Sequence, residues 1–348
     1  MEFSRRTALA GGAAAVAAAC SARQTGQISE SNIPMDEALV SVEAFDPLFF
    51  DVIAPKPVAR MLGRGFTWAE GPAWDAHRAA LYFTDVPANL AYRWHAETGT
   101  QVFLDPSGVD PAKAAGMREP GANGLLLRND GKLLVCNHGR RAVEEMDLDT
   151  GARKTLAQEY GGQRFNSPND VAEAADGTIY FTDPPYGLEG LNASPLKEMS
   201  VNGVYRLSAA GDLSLIIDDM TFPNGAVLSP SQDALYVSQS DPAAPLIRKW
   251  HPESSKKGEV WFDAAPFMEG HDGLPDGMAV SDAGHVFLAG PGGVLVIDQN
   301  ARCLGRIGTG RASANCTFGE DGRTLFITAK DRLIAVRTKI RGWGRFAG

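Results

Sequence analysis

One short pattern recurs along this chain and leaves few folds open to it. It reads as an Asp/Gly-type turn, an apolar–aromatic–apolar run, and then Thr, Ser or a similar small residue. It appears as HRAALYFTD at 77–85, NDGKLLVCN at 129–137, ADGTIYFTD at 175–183, SQDALYVSQ at 231–239, DAGHVFLAG at 282–290 and EDGRTLFIT at 320–328. With Leu81, Leu133, Ile179, Leu235, Val286 and Leu325 as equivalent markers, the steps are 52, 46, 56, 51 and 39 residues. A polar residue precedes each marker by 10 or 11 positions: Glu70, Asn123, Asn169, Asn224, Asp276 and Asn315. Each unit is therefore a short strand, a turn, a second strand and further alternating apolar residues.

Short strands grouped at a period near 50 predict a β-propeller, and six copies predict six blades. In that architecture the first strand of each blade is innermost, and the residue at its start points into the mouth of the central channel. The six polar residues should then form one ring, which explains asparagines placed where strand propensity disfavours them. A tandem of two immunoglobulin-like sandwiches is the rival all-β reading, and it leaves the shared register unexplained. A doubly wound α/β fold lacks support, because long runs of helical period are missing outside the N-terminus.

The 348 residues suit either two domains or one large all-β unit, and 44% hydrophobic with 22% charged residues is a globular composition. Net charge is −9 with no basic block, which argues against a nucleic-acid surface. Residues 1–20, MEFSRRTALAGGAAAVAAAC, pair Arg5 and Arg6 ahead of a small apolar run, the pattern of a twin-arginine export signal. The run is too short and too rich in Ala and Gly to span a membrane. Cys20 stands where a lipoprotein cysteine would, though the usual Leu three positions earlier is replaced by Ala. Residues 21–40 read as a tether and 41–348 as the propeller, with a periplasmic or exported location expected. Cys136, Cys303 and Cys316 make no C-x-x-C pair and read as buried small apolar residues.

Two carboxylates and four amides around one axis form a set of hard oxygen donors. Such donors suit Ca²⁺, Mg²⁺ or Mn²⁺ better than the softer ions that Cys and His select. Crowded carboxylates without a cation would repel one another. The chain has no G-x-S-x-G elbow, H-E-x-x-H pair, phosphate loop or dinucleotide fingerprint. His138 and Arg140, in NHGRRAV, could face the substrate mouth.

WAEGPAW, NSPNDVAEAADGTIYFTDPPYG, PNGAVLSPSQDALYVSQ, LPDGMAV and ASANCTF together resemble the gluconolactonase, senescence-marker-protein and luciferin-regenerating family. TDPPYG and NHGRRAV look like its bacterial gluconolactonases in particular. The resemblance runs from about Asp46 to about Lys330. It implies a six-bladed propeller holding one divalent cation, usually Ca²⁺, with Mg²⁺, Mn²⁺ or Zn²⁺ as alternatives. The family's metal ligands fall on Glu70, Asn169, Asn224 and Asp276. Asn123 and Asn315 then look like pocket-lining residues, with Arg140, His138 and Asp170 as further substrate contacts. The expected reaction is hydrolysis of a sugar lactone, with the carbonyl polarised by the cation and water activated by Asp276; Asp170 or His138 are alternative proton acceptors. An organophosphate or aryl-ester hydrolase, or a non-catalytic sugar-acid-binding propeller, would use the same site.

Overall fold

The computed structural model describes residues 39–252, 254, 257–344 and 346. The export-signal and lipidation readings, and the tether up to residue 38, lie outside the described residues.

Apart from a two-stranded ribbon, Glu159–Tyr160 with Gln163–Arg164, the described strands form six radial sheets. Blade one comprises Ala69–Asp75, Ala80–Asp85, Leu90–His95 and Gly99–Leu104; blade two comprises Ala122–Leu127, Leu133–Asn137, Ala142–Met146 and Arg153–Ala157. Blade three comprises Val171–Glu173, Ile179–Asp183, Gly203–Leu207 and Leu213–Ile217; blade four comprises Pro223–Leu228, Leu235–Gln239, Leu246–Trp250 and Glu259–Asp263. Blade five, Met278–Val280, Val286–Gly290, Gly293–Ile297 and Cys303–Gly308, gains an outer fifth strand, Ser41–Ala44. Blade six takes Asn315–Gly319, Thr324–Ala329 and Arg332–Arg337 from the C-terminal region, and its outer strand, Ala59–Arg64, from the N-terminal region. Antiparallel pairing of Ala59 with Val336 through Arg64 with Arg332 fastens the two ends of the ring together. The closure also covers a strand edge that would otherwise be open to other chains.

Each innermost strand touches the innermost strand of the next blade, and Asn315–Gly319 touches Ala69–Asp75, so six blades close one circle. All six sequence markers lie on second strands. Those strands are buried on both faces, because each blade is sandwiched between two others. This explains why the repeated motif is nearly continuous in apolar residues. Aromatic side chains fill the wedges between blades: Phe165 meets Phe181 edge-on with centroids 5.2 Å apart, and Phe181 stacks on Tyr205 at 5.3 Å. Each fully buried ring or leucine contributes about 1.5–3 kcal/mol of transfer free energy. The three cysteines are free and buried, as expected.

A channel of about 910 Å³ runs along the axis below the ring of polar residues to the opposite face. Inner-strand residues such as Leu125, Val171, Ala226, Met278 and Phe318 line it, and Trp343 lies at its far end.

Candidate metal centre and substrate cup

The polar ring is assembled by backbone irregularity as much as by side chains. Pairing of the inner with the second strand slips between Glu70 and Ala73, between Ala122 and Leu125, and between Pro223 and Ala226. A bulge therefore falls at the ring residue in three blades, which is where one side chain must be re-aimed off the pleat toward the axis. In four blades the ring residue is followed by glycine. A Cβ on Gly71 would lie 2.2 Å from Asn123 O, on Gly124 2.6 Å from Asn169 O, on Gly225 2.4 Å from Asp276 O, and on Gly277 1.9 Å from Asn315 Cγ. The glycines make room for the ring residue of the following blade.

The Thr or Ser that ends the repeated motif has a defined task in three blades. Thr84 Oγ1 donates to Asn123 O at 3.1 Å, Thr182 Oγ1 to Asn224 O at 2.6 Å, and Ser238 Oγ to Asp276 O at 2.7 Å, each reaching the next blade's ring residue. The residue after it holds the segment leading into its own ring position. Asp85 accepts from Thr67 N and Trp68 N, Asp183 from Asn166 N and Ser167 N, and Gln239 Oε1 from Thr221 N.

The amides join directly. Asn123 Nδ2 donates to Asn169 Oδ1 at 2.8 Å, Asn169 Nδ2 to Asn224 Oδ1 at 2.6 Å, and Asn224 Nδ2 to Ser240 Oγ at 2.8 Å; Ser240 Oγ donates in turn to Pro275 O at 2.6 Å. His138 is fully buried, with Nε2 3.2 Å from Asn169 Oδ1 and 3.3 Å from Asn123 Nδ2.

Glu70 is buried; its Oε2 accepts from Gly71 N at 3.0 Å, and Trp68 Nε1 lies 3.4 Å from Oε1. Burial pushes its carboxyl up to about 8, against the lowering effect of the Gly71 N–H, and the negative charges of Asp170 and Glu119 add to the rise. Asp276 keeps some exposure at the mouth. Protein packed around it still pushes its carboxyl well above the usual range, helped by the charges of Glu70, Asp170 and Glu119. Among the described residues neither acid forms an ion pair, and their strongest charged neighbours are other acids. Buried carboxylates are ordinarily paired or ligated to metal. Two unpaired acids beside a run of amide oxygens therefore fit a hard divalent cation. Among the described residues no cluster of three or more His, Cys, Asp or Glu could hold a metal; a cation here would need the amides.

The sequence-derived residues fall into three groups. Asn123, Asn169, Asn224 and His138 are hydrogen-bonded together, and Glu70 and Asp276 share one electrostatic neighbourhood with Asp170 and Glu119. Asn315 and Asp170 lie one step down the channel wall. Asn315 Oδ1 accepts from Cys316 N and its side chain fills the space over Gly277, while Asp170 Oδ2 accepts from Ala226 N at 3.0 Å. Burial raises Asp170 to about 6. Arg140 is engaged elsewhere: it donates to Glu144 Oε1 at 3.1 Å and to Gly108 O at 3.3 Å. Four residues escaped the sequence reading: Trp68, Glu119, Tyr186 and Ser240. Glu119 Oε2 lies 3.4 Å from His138 Nδ1, and the Tyr186 hydroxyl, donating to Phe222 O at 3.3 Å, is raised by burial and by the charges of Asp276 and Glu119. Trp68, directly before the AEGP stretch, and Ser240, directly after the repeated motif, could have been found by widening the repeat by one residue. Glu119 and Tyr186 sit in connections that do not recur.

A six-bladed propeller with acids and amides converging at one end of its axis defines a class of propellers with an axial polar cup. Within that class, the chain belongs to the SMP-30/gluconolactonase/LRE-like family, whose model matches residues 68–331. It is 38% identical over 337 residues to the gluconolactonase of Zymomonas mobilis, covering 94% of each chain. A gluconolactonase structure from Xanthomonas campestris superposes with a TM-score of 0.73 and 30% identity, covering 86% of this chain and 95% of that one. The calcium-binding regucalcin structure from Agrobacterium tumefaciens shares the fold, with a TM-score of 0.64 and 18% identity over 83% of this chain and 96% of that one.

Proposed function

We propose that the protein is a metal-dependent hydrolase that opens sugar lactones of the glucono-δ-lactone type to aldonic acids. The observation that carries this reading is the pair of acids, Glu70 and Asp276, each pushed upward by burial and by neighbouring carboxylates and without an ion-pair partner among the described residues, set against the Asn123–Asn169–Asn224 amide run. The names of the 38% and 30% identical relatives support the lactone as substrate. Glu70, Asn169, Asn224 and Asp276 would hold the cation. Ca²⁺ is favoured by the all-oxygen donor set, and the calcium-binding relative points the same way. When bound, the cation would supply Lewis-acid polarisation of the lactone carbonyl and neutralise the cup's acids.

The chain's own groups do the rest. Asn123 would turn its Oδ1 to a substrate hydroxyl at the mouth, its amide held by His138 and Asn169. An Asp276 carboxylate oxygen accepts the proton of the attacking water as the oxygen–carbon bond forms. The ring C–O bond breaks, and the same proton passes to the departing ring oxygen, leaving an aldonic acid. Trp68 and Tyr186 limit water around the reacting carbonyl. The export signal read at residues 1–20 would place this chemistry outside the inner membrane, where extracytoplasmic sugar oxidation yields such lactones.

The test is hydrolysis of glucono-δ-lactone, followed as acid release in a weakly buffered dye, with and without chelator. Asp276→Ala should lose cation binding and turnover together. Chelator-insensitive hydrolysis would sink the metal assignment. Turnover of phosphotriesters or aryl esters in preference to lactones, or binding of aldonic acid without turnover, would replace the substrate assignment.

A further inference from the structure

Glu119 belongs to no repeat, yet it faces the histidine at one end of a hydrogen-bond chain whose direction is forced from the other end. Pro275 O can only accept. The single proton of Ser240 Oγ is therefore committed to it at 2.6 Å, and the Asn224 atom facing Ser240 at 2.8 Å must be Nδ2. Asn224 then turns Oδ1 toward Asn169, which must answer with Nδ2 at 2.6 Å. Asn169 in turn presents Oδ1 to Asn123 Nδ2 at 2.8 Å. At His138 the forcing stops. Its Nε2 lies about equally far from an acceptor, Asn169 Oδ1 at 3.2 Å, and a donor, Asn123 Nδ2 at 3.3 Å. One tautomer would donate to Asn169 and the other would accept the second N–H of Asn123.

The other ring nitrogen decides. Nδ1 is buried with no hydrogen-bond partner among the described residues, and a carboxylate oxygen, Glu119 Oε2, faces it at 3.4 Å. A carboxylate selects the tautomer with the proton on Nδ1. In the neutral ring the lone pair is then on Nε2, and Asn123 donates to both His138 and Asn169. The loop that carries Glu119 is fixed in place: Arg118 N and Glu119 N both donate to Gly187 O, and Arg118 Nε donates to Tyr186 O at 2.9 Å. Gly187 itself leaves room for the imidazole, since a Cβ there would lie 2.8 Å from His138 Cβ.

We propose that Glu119 is a positioning residue of the cup: facing His138 Nδ1, it fixes the imidazole tautomer and through it the amide orientation of Asn123 and Asn169. It acts on ring oxygens it does not touch. Partners of this kind, one step removed from a metal's ligands, alter metal affinity by about 10–100-fold when removed. The proposal rests on the cation-site reading of the cup, and the two are tested separately.

The first measurement needs neither cation nor variant. Long-range ¹H–¹⁵N correlation of the histidine rings in chelated wild-type protein at pH 7.5, with His138→Gln for assignment, should show His138 as the Nδ1–H tautomer. An Nε2–H tautomer or a doubly protonated ring overturns the proposal. The second measurement is Ca²⁺ titration by calorimetry of wild type, Glu119→Gln and Glu119→Ala, each checked for fold by its melting transition. The glutamine carbonyl can accept from Nδ1 without charge, so Glu119→Gln should stay within about threefold of wild type. Glu119→Ala should weaken binding by about tenfold or more. If both variants lose affinity equally, Glu119 acts by charge alone and the positioning role is wrong. If wild type binds no divalent cation, the metal reading fails while the tautomer result still decides the role of Glu119.

Discussion

Asn169 donates its Nδ2–H to Asn224 Oδ1 at 2.6 Å, joining blades three and four at the axis through two side chains 55 residues apart. The contact depends on a neighbour that is not itself a ring residue. Ser240 accepts from Asn224 Nδ2 and so stops that amide from flipping. Ser240→Ala should therefore lower divalent-cation affinity by about tenfold, the scale seen when a ligand's supporting partner is removed. It should cost only about 1–3 kcal/mol of stability for the orphaned group. Calorimetric Ca²⁺ titration alongside urea unfolding checks both; unchanged affinity would show that the amide is held by something else.

The unpaired acids make an opposite pair of expectations for one substitution. In chelated protein Glu70 is a buried carboxyl that burial and nearby Asp170 and Glu119 disfavour in its charged form. Glu70→Gln should raise the melting temperature of the cation-free protein. The same variant should lose the upward shift that saturating cation gives wild type, about 2.7 kcal/mol at a hundred times the dissociation constant. Differential scanning fluorimetry with and without Ca²⁺ reads both effects. A variant less stable than wild type in chelator would mean that Glu70 is better solvated than its surroundings indicate.

The propeller was legible because a period survives divergence: a turn, an apolar run and a polar residue 10 or 11 positions earlier recur in register. The ring residues that recur, Asn123, Asn169, Asn224, Glu70 and Asp276, were legible for the same reason. Glu119 and Tyr186 were not, because they reach the cup from connections of unequal length, where register carries no information. Arg140 is placed differently from its neighbour. Its neighbour His138 does enter the cup, but two residues later the chain has turned, and the guanidinium finds Glu144 instead. The outer strand Ala59–Arg64 was also missed, because a strand given by one end of the chain to a blade made by the other has no local signature.

The glycines after the ring residues predict a position-specific penalty. Gly225→Ala puts a methyl 2.4 Å from the backbone oxygen of Asp276, which no rotamer change can relieve. The expected cost is about 1–3 kcal/mol, with displacement of Asp276 and loss of turnover. Gly290→Ala is the matched control, since its nearest neighbour would be an ordinary 3.6 Å from Leu288 Cγ. It should be neutral to within about 1 kcal/mol. Equal losses in the two variants, measured by urea unfolding, would remove the argument that blade spacing dictates these glycines.

Asp183 gives a pH dependence outside the cup. Burial raises its carboxyl to about 7, although Asn166 N and Ser167 N both donate to it. An unfolded aspartate titrates near 3.9. The fold thus favours the protonated form, so its contribution is fully present below about pH 4 and is lost as pH rises through about 7. Stability of the chelated protein should fall between pH 5 and pH 8.5, with at most about 3 kcal/mol of the change due to this group. Asp183→Asn removes the titrating carboxyl and should flatten that slope, whatever its effect on absolute stability. The segment it holds leads into Asn169, so cation affinity should fall with it. Urea midpoints of both proteins across that range decide the matter: an undiminished slope in Asp183→Asn would assign the pH dependence to Glu70, Asp170 and Asp276 alone.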